Sequence, residues 1–217
     1  MVTASVAAPV TAQTSEDHQV WVNATLFGSI SDKVVYFLEA QPRFGSEASR
    51  LEALLLRPAI GWKLSKRVTV HQGYVHVILP IEGGRDRNEE RSFQQLLWTR
   101  PIGARFEVQA RSRFEQRWRS DGDQMGLRLR QMIRGEMAVA RPGGVALIGS
   151  VEGFAALNDT DWGVRSGFDQ VRSFAGVEIP VGGRSTVEAG YMNQVVNQPG
   201  ARTRVNHIAA LNIFIRR

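Results

Sequence analysis

Between Arg105 and Arg119 the chain alternates with a period of two. One face reads Arg105, Glu107, Gln109, Arg111, Arg113, Glu115, Arg117 and Arg119, and the other reads Ala104, Phe106, Val108, Ala110, Ser112, Phe114, Gln116 and Trp118. Successive side chains of a β-strand point to opposite sides of its sheet, so every charge of this segment falls on one face. The next segment repeats the pattern, with Arg128, Arg130, Arg134 and Glu136 against Leu127, Leu129, Ile133, Met137 and Val139. From His18 onward no helical period lasts beyond two turns, and period-two stretches follow one another to the C-terminus. The domain is therefore predicted to be all-β.

Candidate strands cover residues 18–28, 33–44, 50–63, 66–79, 90–99, 103–118, 125–140, 144–157, 166–179, 184–196 and 203–216. Many exceed the ~5–6 residues usual in globular strands, as tilted strands crossing a bilayer would. Short connections with tight-turn residues (65–66, 101–103, 141–144, 181–184) alternate with longer polar ones (45–50, 81–88, 120–124, 158–163, 197–201). Short turns at one rim and longer loops at the other are the habit of outer-membrane barrels, which close with an even number of strands. The prediction is an antiparallel up-and-down transmembrane β-barrel of about twelve strands, with ten as the alternative.

Composition alone is neutral: 43% of residues are hydrophobic, 22% are charged and mean hydropathy is −0.21. An alternating membrane strand averages to the same values as a soluble domain. The apolar runs of four to five residues, such as Ala53–Leu56, fall far short of the ~20 that a spanning helix needs. The chain has no cysteine, which agrees with a closed sheet that needs no disulfide staples. Residues 1–17 begin with small and apolar side chains and read as the remnant of a secretory signal or as a disordered leader. The barrel itself is expected over residues 18–217.

The apolar faces mix modest hydrophobics with Ala, Gly, Ser and Gln, which suits a lipid-facing surface better than a close-packed core. Trp62, Trp98, Trp118 and Trp162 lie near predicted connections, where an interfacial aromatic girdle is expected. The polar faces would then converge in a lumen. They bring together Glu39, Arg43, Arg57, Arg105, Glu107, Arg111, Arg113, Glu115, Arg128, Arg130, Arg134, Glu136, Glu152, Arg172, Glu178 and Glu188, joined by Gln72, Tyr74 and Gln170. Arginine–carboxylate pairing is expected there, with Glu115 facing Arg128 if the intervening loop permits. Such a network either fills and rigidifies the barrel or, since arginines predominate, lines a narrow anion-preferring passage.

The net charge of +6 and pI near 10.4 raise nucleic acid as a partner. Arginines inside a barrel would not form an exposed binding stripe, so none is expected. The histidines His18, His71, His76 and His207 form no metal-ligand spacing, and no Gly-x-Ser-x-Gly elbow is present. No catalytic residue, metal or cofactor is assigned. The expected partners are outer-membrane lipid and small anions. The alternatives are a soluble lipocalin-like carrier, with the two faces reversed, and a lipid-modifying outer-membrane enzyme.

Taken in order, Trp21, Glu39 with Arg43, Arg57-Pro58, Gly73-Tyr74, Arg111 to Arg117, Arg128-Leu129-Arg130, Glu152-Gly153-Phe154, Asp169 to Arg172 and Glu188 to Tyr191 carry a resemblance. The chain resembles DUF2490, an uncharacterised family of outer-membrane barrels, over nearly its whole length from Trp21. The resemblance implies a bacterial outer-membrane location and brings no established activity and no catalytic residues.

Overall fold

Eleven strands form among the described residues, which in the computed structural model are 13–198 and 202–217. They are β1 (Gln13–Ser29), β2 (Val34–Gly45), β3 (Arg50–Lys63), β4 (Val68–Leu79), β5 (Arg87–Ile102) and β6 (Phe106–Arg119). The second half comprises β7 (Gly126–Ala138), β8 (Ala146–Ala156), β9 (Gly167–Gly182), β10 (Ser185–Gln198) and β11 (Arg202–Arg216). Each strand pairs antiparallel with the next, and β11 returns to β1 to close the barrel.

The count corrects the expectation of twelve or ten strands, and the closure corrects an all-antiparallel sheet. With an odd number of strands the last runs in the same direction as the first. The closing pair is accordingly parallel, in continuous register from Gln13 beside Arg202 to Phe27 beside Arg216. Closure leaves no sheet edge, so the evenness that antiparallel closure requires is not needed here. β1 begins at Gln13, so residues 13–17 lie in the barrel wall. The rest of the expected leader lies outside the described residues.

The connections alternate between the two rims. At one rim they span residues 30–33, 64–67, 103–105, 139–145 and 183–184; at the other, 46–49, 80–86, 120–125 and 157–166. The second set is longer on average, but 46–49 is short, and 139–145 at the first rim is as long as 80–86; the connection between β10 and β11 lies outside the described residues.

Glycine creates room inside where a wall must approach a large ring. A Cβ on Gly73 would lie 2.1 Å from the Phe93 ring, and on Gly176 or Gly190 it would lie 2.7–2.8 Å from that of Phe174. Two apolar clusters fill parts of the interior: Phe37, Ala53, Leu55, Ala59, Val75, Val77 and Phe93 on β2–β5, and Trp21, Ile148, Phe174, Ile208 and Ala210 nearer the seam. The outer surface carries Leu38, Leu56, Ile60, Leu96, Leu129, Ile133, Leu147, Val151 and Leu211, all well exposed.

Candidate functional site: the charged interior

The interior of β6–β8 is an ion-pair lattice set up by register. Glu115 lies directly across from Arg128, and Arg113 across from Arg130. Glu115 is fully enclosed. It accepts from Arg128 Nε at 2.9 Å and Nη2 at 2.6 Å, and from Arg130 Nη1 at 2.8 Å. Arg130 then forks onto Glu152 through Nε and Nη2, both at 3.0 Å, and Arg111 Nη2 reaches the same carboxylate at 2.8 Å. On β5, Glu89 accepts both the Arg91 fork, at 2.9 and 3.2 Å, and Arg117 Nε at 2.5 Å. Arg57 pairs with Glu39 across β2–β3. Planar guanidinium forks suit such bidentate sharing, and enclosure makes each partner costly to remove.

Aromatic rings support the guanidinium planes. Arg113 lies 4.4 Å from the Phe93 centroid, Arg130 4.5 Å and Arg172 4.6 Å from Phe154, and Arg43 3.8 Å and Arg172 4.9 Å from Trp21. A cation over a ring face gains about 0.5–2 kcal/mol, more when water is excluded.

Towards the short-turn rim the sign of the interior changes. Arg134 Nη2 meets Glu136 and Glu188 at 2.9 Å each and Glu178 at 3.6 Å. Glu107 sits across from Glu136. Four carboxylates therefore gather about one arginine, whereas arginines predominate in the middle of the lumen.

At the long-loop rim, Trp162 folds inward. It is buried, donates from Nε1 to the Gln124 carbonyl at 2.7 Å, and lies 5.1 Å from Arg117 and 4.9 Å from Arg119. Asp161 pins this lid by accepting the backbone N–H groups of Asp123, at 2.8 Å, and Gln124, at 3.3 Å. These hydrogen bonds, that of Asp123 foremost, hold the Asp161 carboxyl below its ordinary range. The N–H of Ser166 does the same for Asp159.

A family model described as a protein of unknown function, DUF2490, matches residues 18–206. The chain belongs to the DUF2490 family. An uncharacterized protein of Methylorubrum extorquens is 47% identical to this DUF2490 chain over 212 residues, which covers 96% of the chain and 92% of that relative. No solved structure matches.

In this DUF2490 barrel the expected network residues on the strands do face inward, and all but Arg105 lie in the interior. Arg105 is corrected: it belongs to the turn before β6 and is exposed, because the strand begins one residue later, at Phe106. Gln72 and Tyr74 are corrected as well. They share the outward face of β4, where Gln72 bonds Ser92 and Gln94, and Tyr74 and His76 bond Glu90. With Gln116 bonded to Gln94, they form an outward polar ladder across β4–β6.

Of the four tryptophans, Trp62 and Trp118 are exposed on the outer face near opposite rims, and Trp98 is half-buried and outward at the short-turn end, two strands from Trp62. Trp162 is corrected from girdle to lid, because it lies in a loop long enough to turn back over the mouth.

Glu89, Arg91, Gln95 and Trp21 complete the interior without having been singled out for it. On β1 the polar positions Asp17, Gln19, Asn23 and Thr25 share Trp21's parity, which identifies its side. On β5 both faces are polar, so alternation carries no signal there.

Proposed function

We propose that this chain is a bacterial outer-membrane β-barrel whose charged interior is filled and braces the wall. The observation that carries this reading is the inversion of its two faces. Large apolar side chains stand on the outside while Arg57, Arg113, Glu115, Arg117, Arg128, Arg130 and Glu152 are buried inside. A soluble carrier gains its stability from the opposite arrangement, because apolar surface drives folding by leaving water. In a bilayer the outer apolar band meets hydrocarbon and the closed sheet satisfies its own backbone. Trp62, Trp98 and Trp118 sit where headgroups would lie. On this reading the barrel works without a catalytic group, cofactor or nucleic-acid partner, and its surroundings are membrane lipid.

The test is cell fractionation followed by gel migration with and without boiling. The protein is expected in the outer-membrane fraction, migrating anomalously until boiled, since closed barrels resist denaturation. Recovery of a stable monomer from the soluble periplasm overturns the proposal.

A second reading, a narrow anion-preferring passage, is favoured by the excess of arginine in the middle of the lumen. It predicts an anion-selective reversal potential for the reconstituted protein across a salt gradient, lost when Arg111 and Arg113 are both changed to Glu. The absence of conductance in either form favours the filled interior.

A further inference from the structure

Charge is not balanced along the lumen. Between the acidic layer around Arg134 and the pairs Arg119–Asp121 and Arg204–Asp17 nearer the long-loop rim, nine arginines face five carboxylates, counting Asp169 as the second partner of Arg128. Excess cations enclosed in a low-dielectric space repel one another and must acquire a counter-charge or be expelled. The excess is localised. Arg43 and Arg172 have no carboxylate within 4.0 Å among the described residues; their polar partners are Gln41, at 2.8 Å, and Gln170, at 3.4 Å. Both have a buried Nε with no hydrogen-bond acceptor, as do Arg57 and Arg111, and Arg113 has such an Nη1, but those three each pair with a carboxylate.

Arg43 and Arg172 also converge. Both guanidinium groups lie over the Trp21 ring, Arg43 at 3.8 Å and Arg172 at 4.9 Å from its centroid. Glu152, the carboxylate across the sheet from Arg172, is already engaged by Arg111 and Arg130. Trp21 is a fixed shelf: its Nε1 donates to Gln19 Oε1 at 2.8 Å, Gln19 donates to Asp17 at 2.7 Å, and Asp17 is held by Arg204 at 2.8 Å. Two guanidinium groups on one rigid ring, each with unused donors, match a tetrahedral oxyanion better than a halide, because each fork can address two oxygens.

We propose that the lumen binds one phosphate-class oxyanion between Arg43 and Arg172, beside Trp21. The acidic layer of Glu107, Glu136, Glu178 and Glu188 then makes this a dead-end site rather than a through passage, because an anion leaving towards the short-turn rim meets four carboxylates. The proposal uses the inward orientation of the arginines and not the membrane location, so the fractionation result and the binding result can fail separately.

The test is calorimetric titration of the folded full chain in detergent, at constant ionic strength, with inorganic phosphate, glycerol 3-phosphate and chloride. Saturable one-to-one binding of phosphate, absent with chloride, is expected. Glycerol 3-phosphate distinguishes a site open to phosphoesters from one restricted to the free anion, and either form supports the proposal. Arg43→Gln and Arg172→Gln each lower affinity about tenfold or more, as loss of a charge-assisted bond does, and Arg172→Lys also weakens it by removing the fork. Arg100→Gln, at an exposed position, leaves binding unchanged.

Thermal unfolding separates binding from a purely structural role. Without phosphate, Arg43→Gln melts no lower than wild type, since it relieves repulsion. With phosphate, only the wild type gains. Equal responses to chloride and phosphate, or phosphate binding unchanged in both glutamine variants, overturns the site. If both variants fail to fold, undiminished phosphate binding by Arg172→Lys overturns it too.

Discussion

Two stretches of the inner wall differ in what dominates them, although Arg57, Glu89 and Arg91 bring charge to the first and Ile148 and Phe154 bring apolar side chains to the second. Along β3–β5 the lumen side carries Leu55, Ala59, Val75, Val77 and Phe93, whereas along β6–β8 it carries Arg113, Glu115, Arg128, Arg130 and Glu152. The two meet where the Arg113 guanidinium lies over the Phe93 ring. The apolar wall keeps water from the ion pairs, which strengthens each attraction and raises the cost of any unpaired charge. The charged wall in turn covers Phe93 of the apolar one with the Arg113 guanidinium. Each stretch therefore depends on the other for what it cannot supply, and the predictions below separate their contributions.

The largest effect is expected at the hub of the charged wall. Glu115→Ala leaves Arg113, Arg128 and Arg130 without their shared carboxylate and should cost about 3–5 kcal/mol in urea unfolding from micelles. A cost below about 1 kcal/mol would mean that water reaches the lattice and screens it.

On the apolar wall, Leu55→Ala removes a side chain that is 1% exposed and should cost about 2–5 kcal/mol by the same measurement, depending on how far the cavity collapses. If the variant unfolds like wild type, the apolar wall is not packed.

The outer face supplies a third comparison. On the proposed membrane reading, Ile133→Arg, at an outward position midway along β7, should cost about 2–4 kcal/mol if it lies near the bilayer midplane, whereas the inward Gln109→Arg should be much milder. Equal tolerance at both positions would contradict a lipid-facing surface on β7.

The smallest effect concerns the lid. The folded carboxyl of Asp161 titrates below its unfolded value. Its contribution is therefore fully present above the ordinary carboxylate range near ~4 and is lost as pH falls through the lower folded value. Trp162 fluorescence should stay constant from neutral pH to about 4 and change only below that, and Asp161→Asn should abolish this acid transition. A transition near neutrality would assign the lid to other groups.

The legibility of the interior follows the same division as its walls. On β6 and β7 the charged residues alternate strictly with apolar ones, so parity alone assigned Arg111, Arg113, Glu115, Arg128 and Arg130 to one side, and Glu115 does face Arg128. On β3 the run Ala53–Leu56 is apolar on both faces, and on β4 the polar Gln72 and Tyr74 point outward. There, polarity and side disagree, and reading one from the other misplaced those two residues. Arg105 and Trp162 were misplaced for a different reason: both lie in connections, where the period of two no longer applies.

The sequence by itself determined the all-β class, the approximate places of the strands and connections, and the charged side of each clearly alternating strand, because these depend on local period and turn chemistry. Only the tertiary structure decided the odd strand number with its parallel seam, the inward direction of the charged side, and the gathering of Arg43 and Arg172 on Trp21. Those depend on where a sheet closes and on which distant strands its curvature brings face to face. Neither is encoded in the spacing of residues along one strand.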